Sequence, residues 1–319
     1  MSDLISRTAA ASVRARTRIA PMVYQTPLLP SRALGDRLDC DLRFKAENFQ
    51  LTGSFKMRGA ASKMTSLPKG QRLITASSGN HGIASSRAAA LTGQDLTVVL
   101  PESVSRAKLA KIEAFGVNVN LHGPESGAAE AHAANLASSG DYTYVSPYND
   151  AQVIAGQGTC ALEMLDQAER IDNVFVAMGG GGLISGIGAV LKAFSPKTRV
   201  IGVAAQNSAA LAESLAVGRI VETAHLDTLA DGVAGGVDDD SLTLPLAMEV
   251  VDGVQTCTED EIATALKLLA QDETLLVEGA AALALAGYLQ LAETCRGQNN
   301  VVVLCGSNFD RAKIMPLVV

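Results

Sequence analysis

The stretch Val174-Phe175-Val176-Ala177-Met178-Gly179-Gly180-Gly181-Gly182-Leu183 decides the fold. Its apolar, β-branched first half reads as a strand, and the apolar run from Leu183 to Phe194 reads as a helix. A strand feeding a helix through a short turn is the unit of a largely parallel α/β sheet. The four glycines between them let several backbone N–H groups converge, with no side chain in the way, at a helix N-terminus whose dipole favours an anion. A tight turn needs fewer glycines than this, so the stretch reads as a phosphate cradle. A dinucleotide site would want a ribose-binding carboxylate at the end of the next strand, roughly 20 residues on. That strand, Val200–Ala204, runs into Ala205-Gln206-Asn207 instead. No Gly-Lys-Ser/Thr follows either, so a single phosphate fits better than a pyrophosphate.

The same alternation extends in both directions. Leu73–Ala76, Leu96–Leu100, Val117–Leu121, Val174–Met178, Val200–Ala204 and Val301–Leu304 read as strands. Ile83–Thr92, Arg106–Phe115, Ala128–Ser138, Gly158–Ala168, Leu183–Phe194, Glu259–Gln271 and the almost wholly apolar Gly279–Leu291 read as helices. The fold class is therefore α/β. At 319 residues the chain is long enough for two lobes sharing one site. Residues 72–149 read as a small domain nested within a large one made of residues 1–71 and 150–319.

Hydrophobic residues at 48% and charged residues at 18% suit a soluble globular enzyme. The net charge of -7 gives no footprint for nucleic acid. Apolar runs fall short of the roughly 18 residues a membrane helix needs. The arginines at 7, 14, 16 and 18 lack the apolar stretch of a secretory signal, so the expected location is the cytoplasm. Cys40, Cys160, Cys257, Cys295 and Cys305 form no CxxC pair, and His81, His122, His132 and His225 are scattered. Neither a disulfide framework nor a zinc site is suggested. The acidic tract Asp238-Asp239-Asp240 reads as a solvated turn.

Two more clusters fall at a strand end or a helix start, the edge where open α/β sheets bind ligands. Ser77-Ser78-Gly79-Asn80-His81-Gly82 follows the strand Leu73–Ala76. Its small residues can cap a helix, and they also suit a loop that wraps a carboxylate. Ser54-Phe55-Lys56-Met57-Arg58-Gly59 enters a helix. A lysine desolvated there would have a lowered pKa and could form a Schiff base with an aldehyde.

The segments SFKMRGA, SSGNHG, GQGT, GGGGL and CGSN, in this order and spacing, resemble the fold type II pyridoxal-phosphate enzymes. Within them the chain is similar to the threonine/serine dehydratase and serine racemase group, from about Thr26 to the C-terminus. The resemblance implies a two-lobed, tryptophan synthase β-like fold with a mostly parallel sheet in each lobe. It implies that Lys56 bonds the cofactor aldehyde and serves as the base at Cα. Phe55 would pack on the cofactor ring, Asn80 would bond the ring hydroxyl, and Gly179, Gly180, Gly181, Gly182 and the N–H of Leu183 would hold the phosphate. Ser77, Ser78, Gly79 and His81 would line the substrate-carboxylate loop. Cys305 would face the pyridine nitrogen, with Asn308 nearby, and Glu278 and Gly232 would lie toward the cofactor's opposite side.

The implied reaction is loss of water and ammonia from a small 3-hydroxy amino acid (L-threonine, L-serine or 3-hydroxyaspartate) to give a 2-oxo acid. A thiol is a weak partner for the ring nitrogen, so charge at Cα is better relieved by expelling the β-substituent. The alternative is an amino-acid racemase with Ser78 as a second base opposite Lys56; a non-catalytic cofactor- or amino-acid-binding protein is a third reading. Where metal-activated members carry acidic ligands, this chain has Ala204, Ser208 and Ala210, so no metal is expected there. A dicarboxylate substrate would want an extra cation, for which His81 and Arg58 are the candidates. The relatives imply a homodimer.

Overall fold

Ten strands run through the chain: β1 (Leu28–Pro30), β2 (Asp41–Lys45), β3 (Arg72–Ala76), β4 (Asp95–Leu100), β5 (Asn118–Leu121), β6 (Thr143–Tyr144), β7 (Asn173–Ala177), β8 (Arg199–Ala205), β9 (Gly253–Cys257) and β10 (Asn299–Val303). The computed structural model describes all residues, Met1–Val319. The strands form a six-stranded sheet in the order β1-β2-β10-β7-β8-β9 and a four-stranded sheet in the order β5-β4-β3-β6. Every pairing is parallel except β1 with β2. Val174 sits between Val200 and Val301 in register, so the three central strands meet side by side.

Parallel sheets need cover on both faces, because their crossovers are helices. All five residues of β7 are buried accordingly. The helix Gly279–Leu291 lies against this sheet with Gly279 to Tyr288 all buried. Its approach requires Gly287, where a Cβ would come within 2.5 Å of the Val203 methyls. On the other side, Asp3–Ile19 packs against the helices Ala151–Gln167 and Gly182–Phe194. It does so through Ile5, Ala9, Ser12, Ala15 and Ile19, spaced as one helical face requires. Asn80–Thr92 and Ser126–Ser138 cover the smaller sheet. No helix is long and apolar enough to cross a membrane.

A buried ion group underlies the start of the helix Lys56–Ser66. The Arg58 guanidinium donates to Glu47 at 2.7 and 2.8 Å and to Glu163 at 2.6 and 2.7 Å. The buried Lys45 amine joins through Glu163 at 2.7 Å and the Thr26 carbonyl at 2.7 Å. Burial pushes the Glu47 carboxyl up, but the Arg58 charge and hydrogen bonds hold it below its ordinary value. Two cations matched to two carboxylates leave no net charge to desolvate.

Candidate active site

The C-terminal ends of three neighbouring strands, β2, β10 and β7, lead into three of the segments that carry chemistry. The turn after β2 runs to Lys56 and is stitched to the end of β10. Phe55 N–H donates to Cys305 O at 3.0 Å, and Ser307 N–H donates to Gly53 O at 2.8 Å. Gly53 takes φ +74°, a conformation that favours glycine, and a Cβ there would press on Asn308 at 3.0 Å. The segment after β7 holds Gly179 to Gly182. From the smaller sheet, β3 leads into Ser77–His81, and β6 leads to Pro147 and Tyr148.

Lys56 is the first residue of its helix, and its Nζ donates to Pro147 O at 2.8 Å. The amine lies 5.2 Å from the centre of the Phe55 ring. It has no carboxylate partner, and burial pulls its pKa from 10.5 down to about 8, against the opposing charges of Cys305 and Glu278. Such an amine is available as a nucleophile near neutral pH.

Side chains widely separated in sequence converge on Glu278, which is buried at the cap of Gly279–Leu291. Asn80 Nδ2 lies 2.9 and 3.0 Å from its two oxygens. Asn308 N–H donates to it at 3.1 Å, and the Cys305 thiol donates at 3.8 Å. Asn308 Nδ2 donates to Asn80 Oδ1 at 2.8 Å, so Asn80 is held at both ends of its amide. A Cβ on Gly232 would stand 3.4 Å from Glu278. Burial, with Asp231 adding, pushes the Glu278 carboxyl up to about 7 against the pull of Asn80, Asn308 and Cys305. Burial also pushes the Cys305 thiol well up. Glu278 therefore lies with Asn80 and Cys305, not across from them.

The glycine run opens the helix Gly182–Phe194 directly, with Gly181 at φ +87°. Its surroundings explain why no side chain is present. A Cβ on Gly179 would meet Val233 O at 2.7 Å, on Gly180 the Tyr148 ring at 2.5 Å, and on Gly181 the Leu211 methyl at 2.7 Å. Thr243 Oγ1 donates to Gly180 O at 2.6 Å and fixes the loop. Leu183 is buried in the first turn.

Ser77, Ser78 and Gly79 line a cavity of about 110 Å³. His81 does not face it in the same way. Its Nε2 lies 2.9 Å from Val145 O and 3.0 Å from Thr75 Oγ1. Burial, then the Lys56 charge, pull the imidazole down to about 3, so it is neutral. Arg58 is spent on Glu47 and Glu163. Neither residue supplies the free cation considered for a dicarboxylate. Sequence reasoning passed over Tyr148, Pro147 and Thr243, which follow no motif and reach the site only through the fold.

The Lys56 amine on the Pro147 carbonyl and the glycine run packed on the next residue, Tyr148, thus come together at one place in an α/β fold. The profile of the pyridoxal-phosphate dependent enzyme family matches residues 19–306, and the chain belongs to that family. It is 34% identical over 307 residues to the catabolic L-threonine dehydratase TdcB of Escherichia coli, covering 95% of this chain and 93% of the relative. Two solved structures are also similar. The processed threonine deaminase isoform 2 of Solanum lycopersicum superposes with TM-score 0.95 at 30% identity, over 99% of this chain and 88% of that one. The serine racemase of Dictyostelium discoideum gives TM-score 0.87 at 34% identity, over 95% and 98% of the two chains. The residues present fit pyridoxal phosphate: a desolvated amine without a carboxylate partner, and backbone amides at a helix N-terminus where Cβ atoms would clash.

Proposed function

We propose that the chain is a dehydratase that converts a small 3-hydroxy amino acid to a 2-oxo acid and ammonia. The observation that carries this reading is the half-buried Lys56 amine, bonded to the Pro147 carbonyl at 2.8 Å, unpaired with any carboxylate and drawn down to about 8. The similarity to L-threonine dehydratases over nearly the whole chain supports the reaction type.

Pyridoxal phosphate, when bound, supplies the electron sink that makes the substrate Cα–H acidic and lets the β-hydroxyl leave. The chain's own groups do the rest. Lys56 would hold the cofactor, and its amine would take the proton from Cα. The amides of Gly179 to Gly182 and Leu183 take the phosphate at the helix N-terminus. The Ser77–Gly79 turn takes the substrate carboxylate. Asn80, Glu278, Asn308 and Cys305, joined in one hydrogen-bonded group, would hold the cofactor ring, and Phe55 flanks the Lys56 amine.

The second reading, racemisation, has support in the similarity to serine racemase and in the Ser78 hydroxyl at the cavity wall. One incubation separates the two. Holoenzyme incubated in turn with L-threonine, L-serine and 3-hydroxyaspartate should release 2-oxo acid and ammonia in equal amounts from at least one of them; a D-amino acid without 2-oxo acid would establish the racemase. We also propose a cytoplasmic location, which the five free cysteines support, and a homodimer, as the family resemblance implies. Light scattering at the 33.0 kDa chain mass would refute the dimer.

A further inference from the structure

The cavity beside the Ser77–Gly79 turn is closed on one side by the helix Ser126–Ser138, which contributes Ala129 and Glu130. No lysine, arginine or histidine lines it. Glu130 takes part in none of the ion pairs of the protein, and neither does Asp238. The two carboxylates come from different parts of the chain, Glu130 from a helix on the smaller sheet and Asp238 from the segment between the helices Ala210–Val217 and Thr243–Val250. Glu130 stands exposed at the rim of the cavity, and partial desolvation, then the Asp238 charge, push its carboxyl up. Tyr144 lies within reach of both, and burial followed by these two charges pushes its phenol up to about 12. Asp238 is anchored there, its N–H donating to Tyr148 OH at 2.9 Å and its carboxylate accepting from Asn149 Nδ2 at 3.1 Å.

Arg58 is buried between Glu47 and Glu163, Lys63 pairs with Asp150 at 2.6 Å, and His81 is neutral. Lys56 is assigned to the cofactor. A substrate's α-carboxylate has the turn's donors, but a second carboxylate would find none and would face Glu130. Specificity is often set by such a repulsive element as much as by a favourable contact.

We propose that Glu130 is a specificity-determining residue that turns away a carboxylate beyond Cβ, so that the substrate side chain is uncharged, as in threonine or serine and not 3-hydroxyaspartate. This rests on the dehydratase site above, with the Ser77–Gly79 turn as the α-carboxylate subsite.

The test uses L-asparagine and L-aspartate, which match in size, differ in charge and carry no 3-hydroxyl to eliminate. Each is titrated into holoenzyme, and its dissociation constant is read from the cofactor's absorbance. Wild type should bind L-asparagine more tightly by about five-fold, the scale of a like-charge contact at an exposed carboxylate. Glu130→Gln should narrow that ratio, while Glu130→Asp should keep most of it. Equal binding of the two ligands by wild type, or an unchanged ratio in Glu130→Gln, overturns the proposal. Turnover is measured separately. A ratio that responds to Glu130 in a protein inert toward all 3-hydroxy amino acids would sink the dehydratase reading and leave the role of Glu130 standing. No spectral response to either ligand would overturn both.

Discussion

Replacing Glu278 with glutamine should change how the stability of the apoenzyme depends on pH. In the folded chain the carboxyl is held at about 7, against an ordinary 4.5, first by burial and then by Asp231. Below about 4.5 the group is protonated in both folded and unfolded chains and contributes no pH dependence. Between about 4.5 and about 7 the folded chain holds the proton more tightly, so the stabilisation due to this group falls as pH rises. Above about 7 the carboxylate is ionised in both states and its burial costs the full amount. At about 1.4 kcal/mol per pH unit, the interval from 4.5 to about 7 amounts to about 3 kcal/mol. Glutamine cannot ionise, so it removes that slope. It also turns an N–H toward the Asn80, Asn308 or Cys305 donors, a pH-independent cost of roughly 1–3 kcal/mol. Lys56 does not confuse the comparison, because its lowered value of about 8 acts between there and 10.5. His81, drawn down to about 3 from 6.5, raises stability with pH over that window but does so in both proteins. Urea unfolding of the two apoenzymes at pH 5 and pH 8 gives the difference directly. Glu278→Gln should gain on wild type by about 2.5 kcal/mol across that range. A difference that stays constant with pH would show that Glu278 titrates normally and that its buried environment is misassigned.

Three shorter expectations follow from the same geometry. Gly180→Ala places a Cβ 2.5 Å from the Tyr148 ring, so the cradle must shift; equilibrium dialysis should show pyridoxal phosphate held at least about ten-fold more weakly. Arg58→Met leaves Glu47 and Glu163 without their shared cation, at a cost of roughly 3–5 kcal/mol, read by denaturant unfolding. Treatment with EDTA should leave the dehydratase rate intact, since the side chains at Ala204, Ser208 and Ala210 offer no carboxylate; loss of activity reversed by magnesium would contradict this.

The central strands were legible because burial leaves a local trace. Val174–Met178, Val200–Ala204 and Val301–Leu304 match β7, β8 and β10 within two residues at each end. The edge strand β9, Gly253–Cys257, carries Gln255 and Thr256 on a half-exposed ribbon and has no apolar run to betray it. The helix Asp3–Ile19 buries mostly alanine and serine in its middle, so no apolar run marks it in the sequence, and the contrast between its faces comes largely from the arginines on its outer side. Motifs located the Lys56, Asn80 and Gly179–Gly182 segments because they lie at strand ends. Which way a side chain turns depends on contacts that local pattern does not encode. His81 turns to Val145, Arg58 to Glu47 and Glu163, and Asn80 meets a glutamate 198 positions away.

The most direct test is chemical fixation of the cofactor. Holoenzyme reduced with borohydride and digested should yield one pyridoxyl-modified peptide, with the adduct on Lys56, and Lys56→Ala should take up no label and lose turnover. An adduct on any other lysine, or full activity in Lys56→Ala, would contradict the assignment of the buried amine.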